Sequence, residues 1–145
     1  AERRGAPVKA FARISDKPIS IRSQVYNPDY VLVLDSTLLE VIDVTEGLKK
    51  DGIIVVNTTK KPEELGIKGY RVATVDATGI ALELKLLVAG LPVLNTSMLG
   101  AFAKATEEVK LESVMKVIGE QWPGSVGKKN AEGAALAYKR LVKNW

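Results

Sequence analysis

Apolar and polar residues alternate near the start of the chain. Val8, Ala10, Ala12 and Ile14 stand at every second position, with Lys9, Phe11 and Arg13 between them, which is the period of a β-strand. Ser15-Asp16-Lys17-Pro18 supplies turn chemistry, and Ile19, Ile21, Ser23 and Val25 then alternate with Ser20, Arg22 and Gln24. The two runs predict an antiparallel hairpin. From Tyr30 the pattern changes. Tyr30 to Asp35 and Ile53 to Asn57 are continuous apolar runs that end in a polar residue, and Tyr70 to Asp76 follows the same form more loosely. Short β-branched runs without alternation predict parallel strands buried on both faces.

Helix-length segments lie between these runs. Ser36 can cap residues 37–41, and residues 44–50 stop at Gly52, a candidate C-terminal glycine. Pro62 stands where the first position of a helix would be. After Asp76, a candidate N-cap, Ile80, Leu84, Leu87 and Val88 repeat at helical spacing until Gly90. The last third reads as helical. Asn95-Thr96-Ser97 precedes Met98, Leu99 and Phe102; Leu111, Val114, Met115 and Ile118 form a stripe ended by Trp122-Pro123-Gly124; Ala134, Tyr138 and Leu141 form another. Without repeats or a convincing linker, residues 1–145 predict one α/β domain. Its expected architecture is three layers, α/β/α, around a mixed sheet of parallel strands plus the N-terminal hairpin.

Composition narrows the chemistry. The 145 residues are 46% hydrophobic and contain neither Cys nor His. The chain therefore lacks a thiolate nucleophile, iron–sulfur ligands, the commonest metal ligand and the usual neutral-pH base. It is expected to carry no redox or acid–base chemistry alone, no catalytic residue and no metal site. No apolar run reaches the ~18 residues that span a bilayer, and a cytoplasmic protein off the membrane is expected. The net charge of +4 is unevenly placed. Residues 1–26 hold Arg3, Arg4, Lys9, Arg13, Lys17 and Arg22 against Glu2 and Asp16, an excess of four. Residues 128–145 hold five cations against Glu132. Basic ends on a neutral body fit an anionic ligand or an acidic partner, or simply an unevenly charged surface.

Three predicted strands end in Asp35-Ser36-Thr37, Asn57-Thr58-Thr59 and Asp76-Ala77-Thr78, and Asn95-Thr96-Ser97 opens a helix. Ligands gather beyond the carboxyl ends of parallel strands, yet each set also reads as ordinary helix capping. Asn95, Thr96 and Ser97 are the preferred set, because three adjacent polar residues exceed what a cap needs. Arg3-Arg4-Gly5 offers forked donors and a glycine that lets backbone approach a ligand; a basic chain end on the surface is the alternative. Neither G-x-G-x-x-G nor a P-loop occurs. Aromatics make up 6% and do not interleave with the basic residues, so nucleic-acid binding is not expected.

Taken as a string, Glu2-Arg3-Arg4-Gly5-Ala6-Pro7-Val8, Lys17-Pro18-Ile19, Ser23-Gln24-Val25-Tyr26, Asn27-Pro28-Asp29, Val75-Asp76-Ala77-Thr78 and Asn95-Thr96-Ser97-Met98-Leu99-Gly100-Ala101 closely resemble the gamma subunit of 2-oxoacid:ferredoxin oxidoreductases, the pyruvate type most of all. The resemblance implies a subunit that is not catalytic alone. The family reaction is oxidative decarboxylation of a 2-oxoacid with coenzyme A, giving acyl-CoA, carbon dioxide and reduced ferredoxin. It further implies alpha, beta and delta partner subunits that hold thiamine diphosphate and the iron–sulfur clusters. A contribution to coenzyme A binding, by Arg3, Arg4, Gly5 and Arg22 with Asn95, Thr96 and Ser97, is the corresponding site expectation. Family members usually begin with a strand, a Gly-x-Gly-Gly-Gln-Gly turn and a helix, so a first βα unit is expected to be missing here. Two other readings stay open: a free-standing anion- or nucleotide-binding module, and a purely structural interface subunit.

Overall fold

The computed structural model describes residues 6–145. Its centre is a four-stranded sheet. β1 (Tyr30–Val33), β2 (Ile53–Asn57) and β3 (Arg71–Val75) run parallel in that order, and β6 (Val142–Lys143) closes the far edge antiparallel to β3. Tyr30 stands opposite Ile53, Ile53 opposite Arg71, and Thr74 opposite Val142. All five residues of β2 are buried, as a both-faces-covered strand requires.

One face of the sheet carries α1 (Ala77–Glu83), α2 (Asn95–Thr106) and α4 (Ser125–Arg140), with α3 (Leu111–Gln121) packed against α2 and α4. Ile53, Val55, Ala73 and Val75 meet Ile80, Met98, Ala101 and Ala137 there. On the other face Val33, Ile54 and Val56 meet Leu48 and the half-buried Leu38, Leu39, Leu65 and Ile67. Three layers and a mixed sheet are therefore present. The second outer layer is built from 3-10 turns, Ser36–Glu40 and Pro62–Leu65, and irregular chain in place of the expected helices.

Local hydrogen bonding explains the difference. Asp35 takes Thr37 N–H at 3.0 Å and Asp43 takes Thr45 N–H at 3.0 Å, two-residue turns that compete with helix. Gly47 has φ +74, and a Cβ there would collide with the Tyr26 carbonyl oxygen, so residues 44–50 fold as turns beneath residue 26. Asp76 does cap α1, accepting Gly79 N–H at 2.8 Å. That helix ends at Glu83 rather than running to Gly90. Leu87–Val88 (β4) and Leu91–Pro92 (β5) instead form a separate two-stranded ribbon, closed by Ala89 (φ 51) and Gly90 (φ 77).

The N-terminal hairpin is corrected. Residues 6–29 carry no strand ladder and are almost all exposed; the antiparallel pair of the main sheet is β3 with β6. The two limbs still lie together, because the Arg13 guanidinium donates to Ser23 O at 3.2 Å and to Gln24 O at 3.1 Å. A lone two-stranded ribbon is marginal without a sheet or helix beneath it, and Val8, Ile14, Ile19 and Ile21 are left exposed among the described residues.

Candidate functional site

The carboxyl ends of β1, β2 and β3 are drawn together by one buried side chain. Asn57 Nδ2 donates to Leu34 O and to Thr78 Oγ1, both at 2.9 Å, and its Oδ1 accepts Ala77 N–H at 2.8 Å and Thr78 N–H at 3.3 Å. Its two donors and its oxygen are thereby committed to protein. Asp35 also binds the Thr37 hydroxyl, at 2.7 Å. That bond and the Thr37 N–H hold its carboxyl below the usual carboxylate range. Asn57, Asp35 and Asp76 thus act as staples and caps.

Beside this hub lies an open cleft of about 530 Å3, with Thr58, Thr59, Lys60 and Lys61 on one wall and Asp76, Glu83 and Arg140 on the other. Arg140 Nη1 and Nη2 meet Glu83 Oε2 and Oε1 at 2.8 and 3.3 Å. The pairing lowers the Glu83 carboxyl pKa and raises that of the guanidinium, so both stay charged. Two lysines and two hydroxyls can attract an anion; none of these groups is a nucleophile poised beside a base. Sequence reasoning singled out Asn57-Thr58-Thr59 and counted Arg140 among the C-terminal cations, but it missed Lys60 and Lys61 and did not join Arg140 to this cleft. The Thr-Thr-Lys-Lys run after a buried strand was a usable signal. Nothing in the sequence tied Arg140 to these residues, because only the docking of α4 brings it there.

The sequence-derived site residues scatter. Arg3, Arg4 and Gly5 lie outside the described residues. Arg22 is exposed in a second cleft, about 450 Å3, between the two limbs of the N-terminal segment, beside Phe11, Ile19, Ile21 and Arg13. Asn95 is exposed, and its Oδ1 accepts Thr96 N–H at 2.9 Å. Thr96 and Ser97 are buried, facing α4. Thr96 Oγ1 donates to Asn130 Oδ1 at 2.8 Å, and Asn130 Nδ2 donates to Val126 O at 2.8 Å. A Cβ on Gly133 would stand 2.8 Å from Ser97 Oγ, and that hydroxyl has no hydrogen-bond partner among the described residues. Arg22 and Asn95 do not share either cleft. Among the described residues no group of three His, Cys, Asp or Glu is placed to hold a metal ion. No described helix is long and apolar enough to cross a membrane.

Comparison with known proteins places this geometry. A family model described as pyruvate ferredoxin/flavodoxin oxidoreductase matches residues 1–140. The chain is 54% identical over 144 residues to pyruvate synthase subunit PorC of Methanocaldococcus jannaschii, covering 99% of this chain and 77% of that protein. It is 55% identical over 145 residues to the pyruvate/ketoisovalerate oxidoreductases common subunit gamma of Thermococcus kodakarensis, covering 97% and 76%. The crystal structure of pyruvate oxidoreductase subunit PORC from Thermotoga maritima matches with a TM-score of 0.72 at 35% identity, over 83% of this chain and 67% of that one.

Proposed function

The chain belongs to the pyruvate ferredoxin/flavodoxin oxidoreductase family, and from that premise we propose that it works as the gamma subunit of a pyruvate synthase complex. The complex converts a 2-oxoacid and coenzyme A to acyl-CoA and carbon dioxide, passing the electrons to ferredoxin. The observation that carries this reading is ordered identity along nearly the whole chain, 54% over 144 residues, with a relative named as that subunit.

The residues present do not fit an iron–sulfur cluster, since the chain offers neither thiolate nor imidazole. We therefore assign the clusters, together with thiamine diphosphate, to alpha, beta and delta partner subunits, and place the assembly with its ferredoxin in the cytoplasm. This chain's own contribution is to binding and assembly. Arg22 is exposed beside the apolar Phe11, Ile19 and Ile21. That pairing suits a ligand anionic at one end and carbon-rich at the other, as coenzyme A is. By sequence resemblance Arg3, Arg4 and Gly5 belong to the same contact, and Asn95 is an exposed amide available to it.

Native mass spectrometry of the full chain mixed with the three partner subunits tests the reading. A stoichiometric complex is expected, in which Arg22→Ala raises the KM for coenzyme A while leaving that for pyruvate unchanged. Failure to form any complex overturns the assignment; an unchanged KM removes Arg22 from it.

A further inference from the structure

The main sheet ends differently at its two edges. Among the described residues β1 pairs only with β2, whereas β3 is covered on its outer side by β6. β6 is two residues long, too short to hold an edge by its own ladder. Asn144 completes it. Its N–H donates to Val72 O at 3.0 Å, its Oδ1 accepts Val72 N–H at 2.9 Å, and its Nδ2 donates to Tyr70 O at 3.4 Å. One residue thus occupies both main-chain groups of Val72 and the Tyr70 carbonyl, using its side-chain amide where a longer strand would use backbone. Trp145 follows, its ring 5.6 Å from the Arg71 guanidinium and 5.1 Å from the Lys143 ammonium. Arg71 is fixed in turn, donating from Nε and Nη2 to Asp51 O at 3.2 and 2.6 Å. At the other end the half-buried Leu141 packs against the core. Residues 142–145 are therefore held at both ends.

Without them β3 would present unpaired N–H and C=O groups along a straight, β-branched strand, a template for pairing with another chain. We propose that residues 142–145 are an edge seal, a strap latched by the Asn144 amide that closes β3 to strand addition. Three ways of blunting an edge meet in it. The covering strand is very short. It carries Lys143, a charge that disfavours a further strand. Its ladder ends on a side-chain amide, which offers no continuing run of backbone to extend. The seal is a property of this chain and holds whichever complex the chain joins.

Asn144→Pro in the full chain removes the N–H and the side-chain amide together. Hydrogen exchange reads the amides of residues 70–75, and sedimentation velocity over a concentration series reads self-association. Exchange at Val72 is expected to be faster by about tenfold or more, with a self-associated fraction above that of wild type. In the associated species the residue 70–75 amides should be protected again, as a strand added to the freed edge requires. Asn144→Ala keeps the main-chain N–H and should give a smaller shift of the same kind; it replaces the proline variant if that one melts early. Unchanged exchange at Val72 overturns the latch. Faster exchange with sedimentation identical to wild type overturns the seal. Association that leaves those amides exposed runs through another surface and overturns it as well.

Discussion

The α2–α4 seam and the segment 6–29 treat similar residues in opposite ways. Between the helices the backbones approach so closely that a Cβ on Gly100 would stand 1.9 Å from the Ala134 carbonyl oxygen. Thr96, Ser97 and Asn130 are all buried there. Along residues 6–29, two limbs that alternate like strands share no ladder and leave Val8, Ile14 and Ile21 more than half exposed. The difference lies in what each segment can lie against. The helices carry small residues where they face one another, so backbone meets backbone and polar side chains are absorbed into packing. The limbs have an apolar face and, among the described residues, no surface beneath it. Patterning locates a face; a complementary surface turns it into structure. The body is accordingly held by its two covered sheet faces, and the exposed apolar residues of 6–29 take no part in either core cluster.

Breaking the seam should have the largest effect. Gly100→Val is expected to cost about 3 kcal/mol or more, because the clash is with backbone and cannot be relieved by a rotamer change. At this chain length that is a fall in melting temperature on the order of 10 °C. A shift of only a degree or two would mean that the helices are not so close. Thr96→Val comes next, at about 1–2 kcal/mol, since it strands Asn130 Oδ1 in a buried site. Its neighbour should behave in the opposite way. Ser97→Ala removes an unpaired buried hydroxyl and is expected to be neutral or mildly stabilising in urea unfolding. A Ser97→Ala variant that is stable but impaired in coenzyme A binding would return this residue to the ligand site.

A smaller effect is expected where the N-terminal segment joins the body. The Tyr30 hydroxyl donates to the Glu108 carboxylate, and its ring meets Phe102 edge-on at 5.7 Å. The hydrogen bond, then burial and the carboxylate charge, raise the phenol from 10.0 to about 12. A pKa raised on folding favours the protonated form in the native state. Its stabilisation is therefore complete below pH 10 and is lost as pH rises through about 12. Tyr30→Phe should flatten that alkaline loss in a stability–pH series while leaving neutral-pH stability within about 1 kcal/mol. The smallest effect belongs to the limbs themselves. Arg13→Ala, which cuts both described ties between them, should shift global stability by no more than about 0.5 kcal/mol. A larger fall would show that residues 6–29 are packed into the body after all.

What was legible in the sequence follows the same division. The three parallel strands showed themselves because β-branched runs without alternation have one physical use. Asp76 showed itself as a cap because Gly79 follows at the right distance. The turns at residues 36–50 were hidden, since Asp35 and Asp43 bend the chain through side-chain bonds that look like helix starts. The β4–β5 ribbon was hidden behind helical spacing at Leu84, Leu87 and Val88, which Ala89 interrupts with a conformation alanine does not advertise. The polar trio Asn95-Thr96-Ser97 was visible as polar. Which way it faced depended on α4, some thirty residues further along. The excess of cations over residues 1–26 is a property of the sequence; Arg3 and Arg4 lie outside the described residues, and Arg22 stands apart from the exposed Asn95.

The central claim is that this chain completes an enzyme whose chemistry lies on other subunits. Its most direct test is ferredoxin reduction by the alpha, beta and delta subunits, driven by pyruvate and coenzyme A, as this chain is titrated in. The account predicts a rate near zero without it and a rise that saturates at one chain per set of partners. The same rate with and without the chain would contradict it.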